Sequence, residues 1–204
     1  KNDYRVAISG TGADELFTGY YDHFLLHFEA LKGTKYLKSN IEYWTKFILP
    51  KIRNPYLQNS KLYIEEPENR DLVYEKNLGV SQYSVTAIEH KFTEENYCDE
   101  LLRKRMMNEL FHEVVPIILK HDDLNSMYYS IENRSPYLDR DLLEFTLTIP
   151  PHLLIANGLQ KKILRDSGEG VLNDQVRLSK QKKGFNASIN SIINFDNSNL
   201  IDLI

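Results

Sequence analysis

Ser9-Gly10-Thr11-Gly12-Ala13-Asp14-Glu15-Leu16-Phe17-Thr18-Gly19-Tyr20-Tyr21 is the stretch around which the chain is organised. Ahead of it, Tyr4-Arg5-Val6-Ala7-Ile8 is a short apolar run of the kind that makes a buried strand. Behind it, Leu16, Phe17, Tyr20, Phe24, Leu25, Phe28 and Leu31 recur at helical spacing, which predicts an opening amphipathic helix. The order is strand, glycine turn, helix start. Such a turn aims backbone N–H groups and the positive end of a helix dipole at whatever lies in front of it. Gly10 and Gly12 admit a ligand close to the backbone. Asp14 and Glu15 fall in the first helical turn, where carboxylates suit the dipole and can also hold a divalent cation. The stretch reads as half of a nucleotide-phosphate site, although a tight turn with capping acids would look the same. It is neither the P-loop pattern nor G-x-G-x-x-G.

The rest of the chain sets bounds. Its 204 residues suit one domain with a proper core. The net charge is −4, and only the 177–183 region is basic, which argues against nucleic acid as a partner. No apolar run approaches the ~20 residues needed to span a bilayer, and no secretory signal opens the chain. A single cysteine, Cys98, cannot form an internal disulfide and fits a reducing cytoplasm. A parallel-type strand needs sheet neighbours. None is evident here, so the expectation is a fragment whose sheet lies upstream, with an unfinished apolar end at Leu200-Ile201-Asp202-Leu203-Ile204.

Helical patterns account for most of the remaining chain. Residues 36–49 read as a second amphipathic helix ending at Pro50, and 50–70, with Pro50, Pro55 and Pro67, as a connection. Residues 71–78 suit one or two helical turns, and 83–88 are open between strand and helix. The clearest helix runs over 99–120, where Leu101, Leu102, Met106, Leu110, Phe111, Val114, Val115 and Ile118 form a wide stripe, read as core. Neither His112 nor His121 has metal-ligand spacing around it. Asp122 then opens a separate short helix through Ser130, and Asn133-Arg134-Ser135-Pro136 breaks it. Asp139 can cap a helix over 140–147. A further helix over 160–167 displays Lys161, Lys162 and Arg165, and Lys180, Lys182 and Lys183 lead into Gly184-Phe185.

Three stretches in order resemble the synthetase domain of glutamine-dependent asparagine synthetases. Residues 9–21 are similar to the family's S-G-E-G-A-D-E-[LV]-F-G-G-Y. Asp123-Leu124-Asn125-Ser126-Met127 through Glu132, Arg134, Pro136, Tyr137, Leu138 and Asp139 is similar to its N-D-x-x-x-M-x-x-S-x-E-x-R-x-P-[FY]-L-D. Lys161 to Arg165, with Lys182-Lys183-Gly184-Phe185, is similar to its K-x-x-L-R and R-x-K-x-G-F pair.

The resemblance implies an α/β fold, mostly α over this chain: a partial adenine nucleotide alpha hydrolase-like synthetase domain over 1–204, with an incomplete parallel sheet and many helices. It also implies that ATP and Mg²⁺ activate the aspartate side-chain carboxylate as an acyl-adenylate. Ammonia from glutamine, released by a separate domain, then displaces AMP. Ser9, Gly10 and Gly12 match nucleotide-binding positions, Lys182 a pyrophosphate-side cation, and Asp14 a Mg²⁺ ligand. Lys161 matches the lysine that stabilises the adenylate, and Asp123 an acid facing the glycine turn that orients the attacking amine. The expected partners are small molecules in the cytoplasm, with no nucleic acid and no membrane, and the family allows a homodimer of the full-length form. Glu132 and Arg134 read as structural, the arginine tying segments through a carboxylate.

Two departures matter. Thr11 replaces the family glutamate and can only orient by hydrogen bonding, which opens the choice of acid to a sugar acid or a lactam-forming substrate. The S-G-G-x-D-S loop and the glutaminase domain are absent from this stretch, so the fragment by itself is expected to be inactive. A non-catalytic helical binding module is the reading from another class.

Overall fold

The parallel partner of the first strand is supplied by this chain itself. In the computed structural model, which describes residues 4–59 and 93–180, Val6–Ile8 (β1) pairs in parallel with Glu132–Arg134 (β2), Val6 opposite Glu132 and Ile8 opposite Arg134. This corrects the expectation of a single strand with every neighbour upstream, and of 133–136 as a mere break. Glu132-Asn133-Arg134 carries no apolar alternation, so only the pairing reveals it as a strand. Both strands are largely exposed: Val6 keeps 51% and Ile8 79% of its surface. The expected buried strand is therefore not found, because among the described residues only two strands share the sheet.

The opening helix is also divided. Ala13–Phe17 (α1) is a single turn, Thr18 takes a left-handed φ of 69°, and the chain restarts as Tyr21–Ala30 (α2). Leu37–Phe47 (α3) is present as expected, and Pro50 lies in a short 3₁₀ turn. Next come Leu101–Asn108 (α4), a π-helical turn over Glu109–Glu113, and Val114–Tyr128 (α5). Pro116 explains the wide turn: it has no N–H and its ring crowds the carbonyl four residues back, so the ladder opens just before it. The helix then runs on without a break, so no separate helix starts at Asp122. The π turn rotates the stripe, leaving Phe111 and Ile118 exposed while Leu102, Met106, Leu110 and Val115 stay in the core.

Asp139 caps Arg140–Leu147 (α6), accepting the Leu142 N–H at 3.0 Å. Lys162–Ser167 (α7) and Asp174–Arg177 (α8) complete the described helices. Leu16, Phe24, Leu25, Leu26, Trp44, Leu102 and Leu154 gather α1 to α4 into one core, with Trp44 edge-on to Phe28 at 5.7 Å. Residues 71–78, 83–88, 181–185 and 200–204, and with them the expectations for Lys182 and Lys183, lie outside the described residues.

His27 sits in that core. Its Nε2–H donates to the Pro151 carbonyl at 2.8 Å, while Nδ1 is buried without a partner among the described residues. Burial pushes its pKa down to about 4, the Pro151 bond opposes this, and nearby His152 adds to the lowering. The unfolded chain therefore takes up this proton before the folded one does. Stability is expected to fall by about 3 kcal/mol as pH drops from about 6.5 to about 4. Urea unfolding across that range checks it, and His27→Gln should flatten this part of the slope.

Candidate active site

Thr18 and Lys161, two non-glycine residues at positive φ, shape the site. Thr18 ends α1 and its hydroxyl lies against the carbonyls of Phe17 and Leu154, the latter at 3.3 Å. Lys161, at φ 56°, precedes α7 and donates its N–H to the Phe17 carbonyl at 3.1 Å. Lys162 N–H reaches the Leu154 carbonyl at 2.9 Å, and Gln160 Nε2 donates to the Tyr20 carbonyl. Such backbone conformations cost about 1 kcal/mol or more and persist where the surroundings hold them. Here the end of α1 does the holding.

That backbone puts Lys161 Nζ 3.0 Å from Asp14 Oδ1. The side chains keep 26% and 38% of their surface, so the pair is worth at most about 1 kcal/mol to stability. Asp14 makes no cap bond, since the residue capping α1 is Gly12, without a side chain. Its carboxyl occupies the space a Cβ on Gly19 would take. Asp14 and Lys161 line a cleft of about 130 Å³, to which Lys51, Arg165 and Lys180 add three more cations against one carboxylate, Asp14, among the described residues. Glu15 does not join them: it is buried and accepts the Tyr20 hydroxyl at 2.5 Å. Burial first, and then that bond, push the Tyr20 pKa up, so the phenol stays protonated.

The other anticipated residues lie elsewhere. Ser9, Gly10, Thr11 and Gly12 form the turn into α1 and do not line the cleft. Ser9 Oγ and Thr11 Oγ1 are hydrogen-bonded at 2.6 Å, and Thr11 N–H donates to Ser9 Oγ at 3.2 Å. Gly10 is open, with none of the described residues within 4 Å of where a Cβ would stand. Gly12, at φ 95°, packs on the turn after β2, and a Cβ there would meet Leu138 Cδ2 at 2.5 Å. Asp123 is exposed in α5 and is not among the residues that line the cleft. Arg134 pairs at 2.9 Å with Glu132 of its own strand, both exposed, so among the described residues its side chain ties no segments together; its carbonyl does, accepting the Ser9 N–H at 2.8 Å.

Behind α1 lies a buried charge cluster that the sequence reading missed. Arg105 Nε donates to Glu109 at 3.1 Å, its Nη1 to Glu94 at 3.0 Å and to Glu113 at 2.9 Å, with Asp22 at 3.7 Å. Arg105, Glu109 and Glu113 recur every four residues, a signal hidden inside what looked like a core stripe. Ligand atoms of Asp22, His23 and Glu109 lie within 4.8 Å of one another, as a metal would require. His23 Nδ1, however, accepts the Gly19 N–H at 3.1 Å, and Nε2 donates to Glu109 at 2.7 Å. The guanidinium already supplies the cation there. Burial works against a charged imidazole, Glu109 works for it, and the balance raises the His23 pKa. The Gly19 N–H on Nδ1 nevertheless leaves the ring proton on Nε2. Burial likewise pushes the Glu109 carboxyl up.

The asparagine synthase family profile matches residues 1–200. The chain belongs to the asparagine synthase family. It is 28% identical over 208 residues to asparagine synthetase [glutamine-hydrolyzing] 1 of Bacillus subtilis (strain 168), covering 91% of this chain and 31% of that protein. It is 26% identical over 186 residues to asparagine synthetase [glutamine-hydrolyzing] 3 of the same strain, covering 89% and 26%. The chain thus spans about a third or less of the curated relatives it matches. No solved structure matches it. No helix among the described residues is long and apolar enough to cross a membrane.

In this member of the asparagine synthase family the first resembling block adjoins the described parts of the other two. The first meets the second through the Ser9 N–H on the Arg134 carbonyl and through Gly12 against Leu138, and it meets the described part of the third, 161–165, through Asp14–Lys161. Gly19→Ala should leave the fold standing but swing Asp14 off Lys161. For an adenylating cleft the expected loss is about a hundredfold in AMP release by the full-length protein, and Asp14→Asn should then add little to it.

Proposed function

We propose that residues 1–204 are part of one adenine nucleotide alpha hydrolase-like synthetase domain, in an enzyme that activates a carboxylate with ATP and amidates it. The observation that carries this reading is the Asp14–Lys161 contact: residues far apart in sequence meet in a cleft with three further cations. In the proposed reaction a carboxylate oxygen of aspartate attacks the α-phosphorus of ATP and pyrophosphate leaves. Ammonia from glutamine then attacks the acyl carbon and AMP leaves, giving asparagine. Lys161, with its charge at the cleft, would stabilise the negative charge that develops on the phosphoryl oxygens. Lys182 is proposed as a second cation on the pyrophosphate side, Ser9, Gly10 and Gly12 as contacts to the nucleotide, and Asp123 as the group orienting the amine.

Asp14 suits a Mg²⁺ ion by its chemistry. It is a partly exposed carboxylate at a cleft lined by cations, and magnesium favours one or two carboxylates together with substrate phosphates and water. When bound, the ion would neutralise the departing pyrophosphate. Gly19 keeps the Asp14 carboxyl in place for it.

Thr11 favours a second reading, the same chemistry on another carboxylate. Its hydroxyl is committed to Ser9 and offers no base. The deciding experiment is AMP release by the full-length protein with ATP, Mg²⁺ and glutamine, with and without aspartate. Aspartate-dependent AMP together with asparagine is the expected result. AMP with a different acid moves the substrate, and no AMP with any acid leaves a binding module.

A further inference from the structure

Lys180 does not behave as one member of a solvated basic run. Its Nζ stands 4.4 Å from the Tyr43 ring centroid and 5.3 Å from that of Phe47, and it donates to Tyr43 Oη at 3.4 Å. The two rings lie 4.8 Å apart and make a shelf on α3. Gly158, at φ 70°, packs beneath that shelf, where a Cβ would meet Tyr43 Cδ1 at 2.8 Å. A lysine on aromatic faces is held by the ring quadrupole and keeps its charge for another partner. No carboxylate pairs with Lys180 among the described residues.

A second anchor fixes the backbone leading to it. Arg165 donates Nε to the Gln160 carbonyl at 2.8 Å and Nη1 to the carbonyls of Arg177 and of Ser179, the latter at 3.1 Å. Its fork is spent on main-chain oxygens. Arg165 therefore ties the residue before Lys180 to the residue before Lys161, and Lys161 and Lys180 line the same cleft.

We infer that Tyr43 and Arg165 are positioning residues that hold Lys180 as a cation of a polyphosphate subsite beside Lys161. The inference rests on the phosphate-binding reading of the cleft. Lysine suits the task as a point charge that follows a flexible polyphosphate chain, while the arginine supplies the fixed geometry.

Calorimetric titration of the full-length protein with inorganic pyrophosphate at low ionic strength tests it. Lys180→Gln should weaken binding about tenfold, and Tyr43→Leu roughly threefold. Tyr43→Phe, which keeps the ring face, should bind like the wild type. The double variant Tyr43→Leu with Lys180→Gln should bind no worse than Lys180→Gln, because the ring acts through the lysine; a merely structural tyrosine would add its own loss. Wild-type affinity in Lys180→Gln alongside weakened binding in Lys161→Gln overturns the inference and leaves the cleft reading standing. No binding by the wild type, or no change in either lysine variant, overturns both.

Discussion

Lys161→Ala is expected to abolish carboxylate-dependent AMP release in the full-length protein, by a thousandfold or more on the order of removing a main transition-state donor, while leaving the fold intact. The backbone contacts at this position survive the change: the N–H still reaches the Phe17 carbonyl, and alanine meets the same left-handed φ as lysine. The lost ion pair is half-open and contributes little to stability. Circular dichroism and thermal melting should therefore match the wild type while turnover disappears. Lys161→Arg keeps the charge but moves its centre, and should recover only part of the rate. Unchanged AMP release by Lys161→Ala would remove the assignment of this lysine.

The largest stability loss is expected from Arg105→Met. The guanidinium is fully buried and lies among Asp22, Glu94, Glu109 and Glu113. Methionine fills much of the space but leaves those carboxylates uncompensated, at a cost of about 3–5 kcal/mol. For a chain of this size that corresponds to a drop in melting temperature of about 10 °C. Replacing Arg105 and Glu109 together, with methionine and glutamine, should cost less than the two single losses summed, since the pair is one network. A melting temperature within a degree of the wild type in Arg105→Met would mean that the cluster carries no such charge.

The parts legible from sequence were those with a local cause. Asp139 before an apolar-periodic run marks a cap because the cap bond forms within three residues, and α6 starts where that rule places it. Lys161 and Asp14 stood out through resemblance to a family, and their contact needed the fold. What stayed hidden was non-local or masked by a stronger pattern. β2 has no apolar alternation, and its identity as a strand depends on finding Val6–Ile8. Arg105, Glu109 and Glu113 sat inside a stripe whose apolar residues dominate the periodicity, and Asp22 and Glu94 reach them only through the fold. Pro116, the one helix-disrupting residue there, opens a π turn without ending the run of helix, because the core on either side holds α4 and α5 in place. Lys180 looked like part of a basic run because nothing in the order of residues reveals that Tyr43 lies beneath it.

The pairing of β1 with β2 also has a kinetic side. Val6 leaves the ribosome long before Glu132 exists, so the first strand must wait, unpaired, while the intervening helices are made. Closing so large a loop is entropically costly, and the contacts that reward it are few, since the strands are three residues long. The helical core built around Leu25, Leu26 and Leu102 should therefore condense first and bring the two strand segments together, making the strand pair a late event in folding. Backbone amides of β1 should accordingly gain protection from hydrogen exchange after those of α2 and α4.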